Sequence, residues 1–309
     1  MRAVEKIWLN GELVDWADAT VHLGTHGLHY GTGVFEGIRC YSTAGGPAVF
    51  RLHDHLERFA QSARLVRMQL PYSVEELRSA CLDLIAANEL PECYVRPIAF
   101  YGAGELAVLP RANPVEVGIM CWPWGAYLGE DGQENGIRAM VSSWRRVGAN
   151  TIPHAAKATG VYLNSMLAVD EATRNGYEEA ILLTDDGSIA DGSGEHVFVV
   201  KDGVIRTPDL SASILPGITR DTIIHLAREL DVEVEETRLI RSDLYQADEV
   251  FMTGTAAEVT PLRSVDDQVL TVGPVTRALQ RAYLDTVRGR RPAPREWLDL
   301  VGVTAAAGS

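Results

Sequence analysis

The sequence predicts an α+β protein of two domains. Its 309 residues favour two domains at roughly 150 residues each. The first 120 or so residues alternate strand-like and helix-like patterns. Between Trp122 and Gly136 that patterning breaks into prolines, glycines and acids. The expected boundaries are therefore a small N-terminal domain over 1–121, a linker over 122–136 and a larger C-terminal domain over 137–309.

The elements follow in order. Ile7-Trp8-Leu9 and Glu12-Leu13-Val14 flank Asn10-Gly11, the pair that a type I′ hairpin turn prefers. A glycine-rich, aromatic stretch runs from His26 to Tyr41, and Ala48-Val49-Phe50 reads as its pairing strand. Helices are expected over 54–66, with Leu56, Phe59, Ala60 and Ala63 on one face, and over 73–88, with Val74, Leu77, Cys81, Leu84 and Ile85. Residues 94–101 and 115–121 read as strands. The second half opens with a strand near 137–143 and carries two hairpin signals, Asp185-Asp186-Gly187 and Lys201-Asp202-Gly203. A helix over 219–230 carries Ile223, Ile224, Ala227 and Leu230. A strand over 249–253 runs into Gly254-Thr255-Ala256-Ala257. From about residue 289 the chain is rich in Arg, Pro, Ala and Gly, and a poorly ordered tail is expected. No internal repeat is visible.

Composition narrows the function. A hydrophobic content of 46% with 23% charged residues is that of an ordinary globular protein. The net charge of −14, without a basic run, disfavours nucleic acid and acidic membrane surfaces as partners. Cys40, Cys81, Cys93 and Cys121 form no CxxC, lie mostly in apolar runs and read as buried free thiols of a reducing compartment. No metal-ligand spacing is present. The opening Met1-Arg2-Ala3-Val4-Glu5-Lys6 leads into a strand rather than a secretory signal, and no apolar run approaches the ~20 residues needed to cross a bilayer. The expectation is a cytoplasmic protein.

Three features carry chemistry. Lys157 is the only formally charged side chain from Val147 to Val169, among Ala155, Ala156, Ala158, Val161 and Leu163. A lysine is ordinarily a solvated surface charge. This setting suggests desolvation instead, which lowers an amine's pKa and suits attack on an aldehyde. Leu215-Pro216-Gly217-Ile218-Thr219-Arg220-Asp221 opens a helix, and a helix N-terminus offers N–H groups and a positive dipole end to a phosphate. A plain Pro-Gly turn would look the same. Gly254-Thr255-Ala256-Ala257 is a second turn with a hydroxyl and backbone amides. Asp191, within Ile189-Ala190-Asp191-Gly192-Ser193-Gly194-Glu195, is either turn chemistry or a carboxylate that keeps a pyridine nitrogen protonated. Together these point to an aldehyde-phosphate cofactor.

The motifs Glu36-Gly37-Ile38-Arg39-Cys40-Tyr41, Ala155-Ala156-Lys157, Asp191–Glu195, Leu215–Asp221 and Phe251-Met252-Thr253-Gly254-Thr255-Ala256-Ala257-Glu258 occur in family order. Their sequence resembles the branched-chain aminotransferases, the fold-type IV pyridoxal-phosphate enzymes, from about Ile7 to Thr286. The resemblance implies a two-domain fold with a β-barrel-like core in the larger domain, and pyridoxal 5′-phosphate as cofactor. It implies that Lys157 is the Schiff-base lysine and shuttles the proton between Cα and the cofactor C4′. Arg58, which unaided reads as a surface helix charge, matches the phosphate-binding arginine, with Ile218, Thr219 and Thr255 completing the phosphate site. Tyr162 would hydrogen-bond the cofactor phenolate oxygen, and Leu215 would pack on the ring.

For substrate, the family pattern is matched by Tyr30, Phe35, Gly37, Arg39, Tyr94, Arg96, Trp124 and Tyr127. The resemblance implies an apolar pocket of Phe35, Trp124 and Val108, although core packing would account for Phe35 and Trp124 equally well. Tyr94 and the amides of Thr255, Ala256 and Ala257 would hold the α-carboxylate. Arg96, Tyr30 and Tyr127 would take the distal carboxylate of glutamate. Two positions depart from the pattern. Asp191 stands where the family has glutamate, 34 positions after Lys157 as in the family, with Glu195 as a less favoured stand-in. Ala107 stands where glycine is usual.

The leading expectation is ping-pong transamination between leucine, isoleucine or valine and 2-oxoglutarate. A specialised transaminase of the same fold acting on a non-protein amino acid, a D-amino acid or an amine is the alternative. A non-catalytic phosphate-cofactor binder is the alternative of another class. A dehydrogenase lacks its GxGxxG opening a βαβ unit. Self-association into a dimer or higher is expected, because in this family the loop near Val108 closes on a neighbour's active site.

Overall fold

The computed structural model describes residues 3–125 and 129–302. Two compact units emerge: one from residues 3–124, 156–160 and 286–302, the other from 125, 129–155 and 161–285.

The first unit is built on a sheet whose strands run, from one edge, Leu298–Leu300, Gly46–Phe50, Ile38–Thr43, Cys93–Tyr101, Val115–Trp122, Lys6–Leu9 and Glu12–Asp15. Gly33–Phe35 joins the far half of Cys93–Tyr101. The opening hairpin turns at Asn10 and Gly11, both at positive φ, as its dipeptide requires. Helices Leu52–Leu65 and Val74–Ala87 cover one face of the sheet, the second started by a capping box between Ser73 and Glu76. Leu56, Phe59, Leu77, Leu84 and Ile85 pack there against Val34, Ile38, Cys40, Cys93, Val95 and Ile119. The four cysteines are buried free thiols in this core. Side chains alternate across a strand. Placing Cys93, Val95 and Ala99 under the helices therefore turns Tyr94 and Arg96 to the opposite face, and register puts Arg39 and Trp122 beside Tyr94.

The second unit is a sheet in the order Ile189–Gly192, Glu179–Leu183, Ile137–Arg145, Glu258–Val265, Glu249–Gly254, His196–Lys201, Val204–Thr207 and Val234–Glu236, with Gln268–Val269 on Glu258–Val265. Ile189–Gly192 and His196–Lys201 are separated by only three residues of chain, yet four strands lie between them in the sheet. Three residues span about 10 Å at most, so the sheet must curl into a barrel-like form. Val141, Ile181, Val197, Val250, Met252 and Leu262 fill it. Helix Tyr162–Arg174 packs through Ala168 and Ala172 on Ala180 and Leu182. Helix Ile218–Glu229 starts at the N-cap Gly217.

Two sequence expectations need correction. Residues 289–302 are not a loose tail: Trp297 is buried, packs edge-on to Phe50 at 5.8 Å, and leads into a strand paired with Gly46–Phe50. Composition pointed to disorder, but one aromatic anchor and the Arg78–Asp299 ion pair outweigh it. The part of that expectation covering 303–309 lies outside the described residues. Residues 156–160 and 286–302 also group with the first unit rather than with the C-terminal one. The backbone N–H of Phe35 donates to the Lys157 carbonyl at 3.0 Å, and Thr159 Oγ1 donates to the Gly31 carbonyl at 2.8 Å. Such pairings between distant segments leave no local pattern. Within the expected linker, Gly129–Asn135 forms a short helix.

Candidate active site

On the first unit, Lys157 is half-buried in a segment stitched to the strand Gly33–Phe35. Its backbone N–H donates to Ser62 Oγ at 3.0 Å, and its Nζ lies 5.2 Å from the centre of the Phe35 ring. Arg96 also stacks on this aromatic group, 4.6 Å from Phe35 and 5.2 Å from Tyr94, and donates through Nη2 to the Tyr94 hydroxyl at 3.3 Å. Trp122 and Trp124 complete the cluster against Tyr94 at 5.1 and 5.2 Å. Arg96 Nε and Trp122 Nε1 are buried donors with no hydrogen-bond partner. Buried donors without acceptors are costly, so a carboxylate ligand suits this wall. Gly37 is required sterically, since a Cβ there would lie 1.8 Å from the Tyr94 hydroxyl. Phe35, Gly37, Tyr94, Arg96, Trp124 and Lys157 are thus brought together on one unit.

Arg58 is not the surface charge its helix position suggested. It is buried and grips Glu36 with two bonds, Nε to Oε1 at 2.7 Å and Nη2 to Oε2 at 2.9 Å. His55 Nδ1 adds a third at 2.8 Å. Burial alone would raise the Glu36 carboxyl, but Arg58 and His55 outweigh it and hold the group well below the usual carboxylate range. Burial, with Arg58 and Lys157 nearby, pushes His55 below the usual imidazole range despite its Glu36 bond. A neutral ring donating from Nδ1 follows. Arg39, also buried, pairs with Glu92, which binds Arg288 as well. The Glu36–His55 partnership was missed. The pattern Glu36, His55, Arg58 carries no motif spacing, and only the packing of helix Leu52–Leu65 against the link between Gly33–Phe35 and Ile38–Thr43 joins it.

Tyr30 and Val108 belong to two segments of the first unit that hold one another: Tyr30 donates to the Leu106 carbonyl at 2.9 Å, and His26 Nε2 meets the Ala107 carbonyl at 2.8 Å. Val108 is 83% exposed on the single chain. Tyr127 lies outside the described residues.

On the second unit, Tyr162 opens helix Tyr162–Arg174, and Leu215 precedes the Gly217 cap of helix Ile218–Glu229. Gly217 has no side chain with which to close that first turn, and Ile218 and Thr219 are buried beside it. A Cβ on Gly217 would lie 2.1 Å from His196 Nε2, so the turn is moulded around that ring. Thr255 and Ala256 occupy the turn between Glu249–Gly254 and Glu258–Val265, half-buried, with Ala257 buried after them. Thr253 Oγ1, one residue before the last strand residue ahead of this turn, is buried without a partner. Asp191 is an ion-pair member: Arg146 Nε donates to its Oδ1 at 2.7 Å and Arg146 Nη2 to the Gly192 carbonyl at 2.5 Å. Arg146 was missed, although it stands immediately before the uncharged run that drew attention to Lys157. Glu195 turns instead to Glu179, a second buried carboxylate overlooked in the sequence. Among the described residues no cluster could hold a metal ion, and no helix is long and apolar enough to cross a membrane.

Comparison with known proteins places the chain in a family. The model of the amino-transferase class IV family matches residues 33–265. The branched-chain-amino-acid aminotransferase of Escherichia coli (strain K12) is 51% identical over 304 residues, covering 97% of this chain and 98% of its own. A crystal structure of the Escherichia coli branched-chain amino acid aminotransferase superposes with a TM-score of 0.95 at 50% identity, covering 97% of this chain and all of the other. The T.th. branched-chain amino acid aminotransferase complexed with N-(5′-phosphopyridoxyl)-L-glutamate gives 0.91 at 46%, covering 97% and 99%. This chain belongs to the class IV aminotransferase family.

Proposed function

We propose that this protein is a pyridoxal-phosphate-dependent transaminase that moves the amino group of leucine, isoleucine or valine to 2-oxoglutarate. The observation that carries the reading is Lys157 over the Phe35 ring, beside a wall of Tyr94, Arg96, Trp122 and Trp124. That wall combines the apolar surface an aliphatic side chain needs with buried donors for a carboxylate. The relative complexed with a phosphopyridoxyl-glutamate adduct supports both the cofactor and an acidic second substrate.

The chain's own groups divide the work. Ile218, Thr219 and Thr255 would take the phosphate through first-turn and turn amides, and Arg58 would add its charge. Tyr162 would bond the ring phenolate oxygen, Leu215 would pack on the ring, and Asp191 would face its nitrogen. When bound, the cofactor supplies an electron sink for charge released at Cα. Lys157 Nζ would hold the cofactor aldehyde at rest and take the α-proton during transfer. Tyr94 and the amides of Thr255, Ala256 and Ala257 would seat the α-carboxylate. Arg96, with Tyr30 and Tyr127, would seat the distal carboxylate of 2-oxoglutarate, and Phe35 and Trp124 the branched chain.

The 83% exposure of Val108 and the bonds that tie its loop to Tyr30 support a homodimer or larger assembly, with that loop against a second copy. The cell compartment we infer is the cytoplasm, from the four buried free thiols. The test is the visible spectrum of the purified protein, titrated first with L-leucine and then with 2-oxoglutarate. A yellow band that bleaches and returns supports both half-reactions. A band indifferent to leucine overturns the branched-chain donor, and full activity in Lys157→Ala overturns the role of that lysine.

A further inference from the structure

The Asp191 turn is backed by a second pair of carboxyls that the reaction chemistry does not call upon. Glu179 and Glu195 are 1% and 5% exposed, and their carboxyls converge on the consecutive backbone amides of Ser193 and Gly194, close enough to act on each other. Glu179 Oε1 also accepts the N–H of Ala180 at 2.7 Å and of Ser193 at 3.4 Å. Glu195 Oε2 accepts one, from Gly194 at 3.1 Å. Two carboxyls can share a hydrogen bond only if one of them carries the proton, because ionised carboxylates only accept. The richer set of donors fixes Glu179 as the anion and leaves Glu195 to donate. The one cation among these groups, Arg146, is already engaged by Asp191.

Glu195 is also the piece on which two turns close. A Cβ on Gly192 would lie 3.2 Å from Glu195 Oε2, and one on Gly254 would lie 3.4 Å from Glu195 Cγ and 3.3 Å from the Gly194 carbonyl. The turn carrying Asp191 and the turn leading to Thr255 therefore meet on this side chain. We propose that Glu195 is a positioning residue held as a neutral carboxylic acid that donates its proton to Glu179, so that Arg146, Asp191, Glu179 and Glu195 together carry one net negative charge. Arg146 and Asp191 cancel, and the shared-proton pair supplies the remaining charge behind Asp191. Burial, with the charges of Glu179 and then Asp191, raises Glu195 well above the carboxylate range, in the same direction. The consequence for the ring nitrogen rests on the reading that Asp191 faces it; the charge count does not.

The apoprotein tests the charge count through electrophoretic mobility at neutral pH. If the pair shares one proton, Glu195→Gln leaves mobility unchanged, and the double variant Glu179→Gln, Glu195→Gln moves by one elementary charge. A one-charge shift in Glu195→Gln overturns the proposal. Wild-type protein labelled with 13C at the glutamate carboxyls provides a check independent of variant folding: one carboxyl resonance must stay protonated at neutral pH, and its absence overturns the proposal equally. In the holoenzyme the double variant should lower the pH at which the visible band titrates by about one unit, the effect of one charge roughly 10 Å away at an effective dielectric near 20. Glu195→Gln should hold it. An unshifted band alongside the predicted mobilities would place the error in the role given to Asp191, not in the shared proton.

Discussion

Each unit buries a small group of ionisable side chains, and the two groups answer burial in opposite directions. In the first unit one carboxylate, Glu36, meets two nitrogen partners, Arg58 and His55. In the second, of the three carboxyls Asp191, Glu179 and Glu195, Arg146 pairs with Asp191, and Glu179 and Glu195 have each other. Burial penalises every charge. Where cations suffice, the carboxyl is held low and ionised; where they run short, one carboxyl keeps its proton. The number of cationic partners, more than the depth of burial, decides the ionisation state.

The largest effect that would break this comparison is expected from Arg58→Ala. It leaves Glu36 buried without its cation and should cost about 3–5 kcal/mol in urea unfolding. A loss under about 1 kcal/mol would mean that His55 alone satisfies the carboxylate. Arg146→Ala should cost less, about 1–3 kcal/mol, because the carboxyl-rich group can take up a further proton. Its cost should grow with pH, and a cost independent of pH would contradict that account. Gly37→Ala is expected to displace Tyr94 at a cost of about 1–3 kcal/mol. It should raise KM for both substrates more than it lowers kcat, which steady-state kinetics will separate.

The smallest effects are those of pH, and they have opposite signs in the two units. Glu36 and His55 both have folded pKa values below their ordinary ones. Their contributions are present above the ordinary values and lost as pH falls, first through the imidazole range and then the carboxylate range. All four cysteines lie in the first unit, so labelling by a disulfide reagent active in acid should quicken as pH drops below about 6.5. Glu195 is raised, so its contribution is full below the ordinary carboxylate range and lost as pH rises toward its folded value. Glu195→Gln should therefore remain within about 1 kcal/mol of wild type at pH 5 and match or exceed it at pH 8. Loss of stability at pH 8 would argue that the ionised form is the native one.

The sequence by itself determined most of the local structure. The Asn10-Gly11 turn, the helices over Leu52–Leu65 and Val74–Ala87 and the strand leading to Gly254 follow from turn chemistry and hydrophobic period, which depend on near neighbours in the chain. The pull of Lys157 on the eye was legible too, because an isolated lysine in an uncharged run stands out without any knowledge of packing. Helices Tyr162–Arg174 and Pro274–Val287 were not anticipated, the first because its buried positions are the small Ser165, Ala168 and Ala172. Asp191 could be singled out in sequence, but its tie to Arg146, 45 positions away, could not. The same holds for Glu36 with Arg58, for Glu179 with Glu195, and for Trp297 on Phe50. Hydrophobic period and turn preference act over a few residues and leave a written trace. Ion pairing, shared protons and aromatic anchoring depend on distances that only the closed chain sets, and those were decided by the tertiary structure alone.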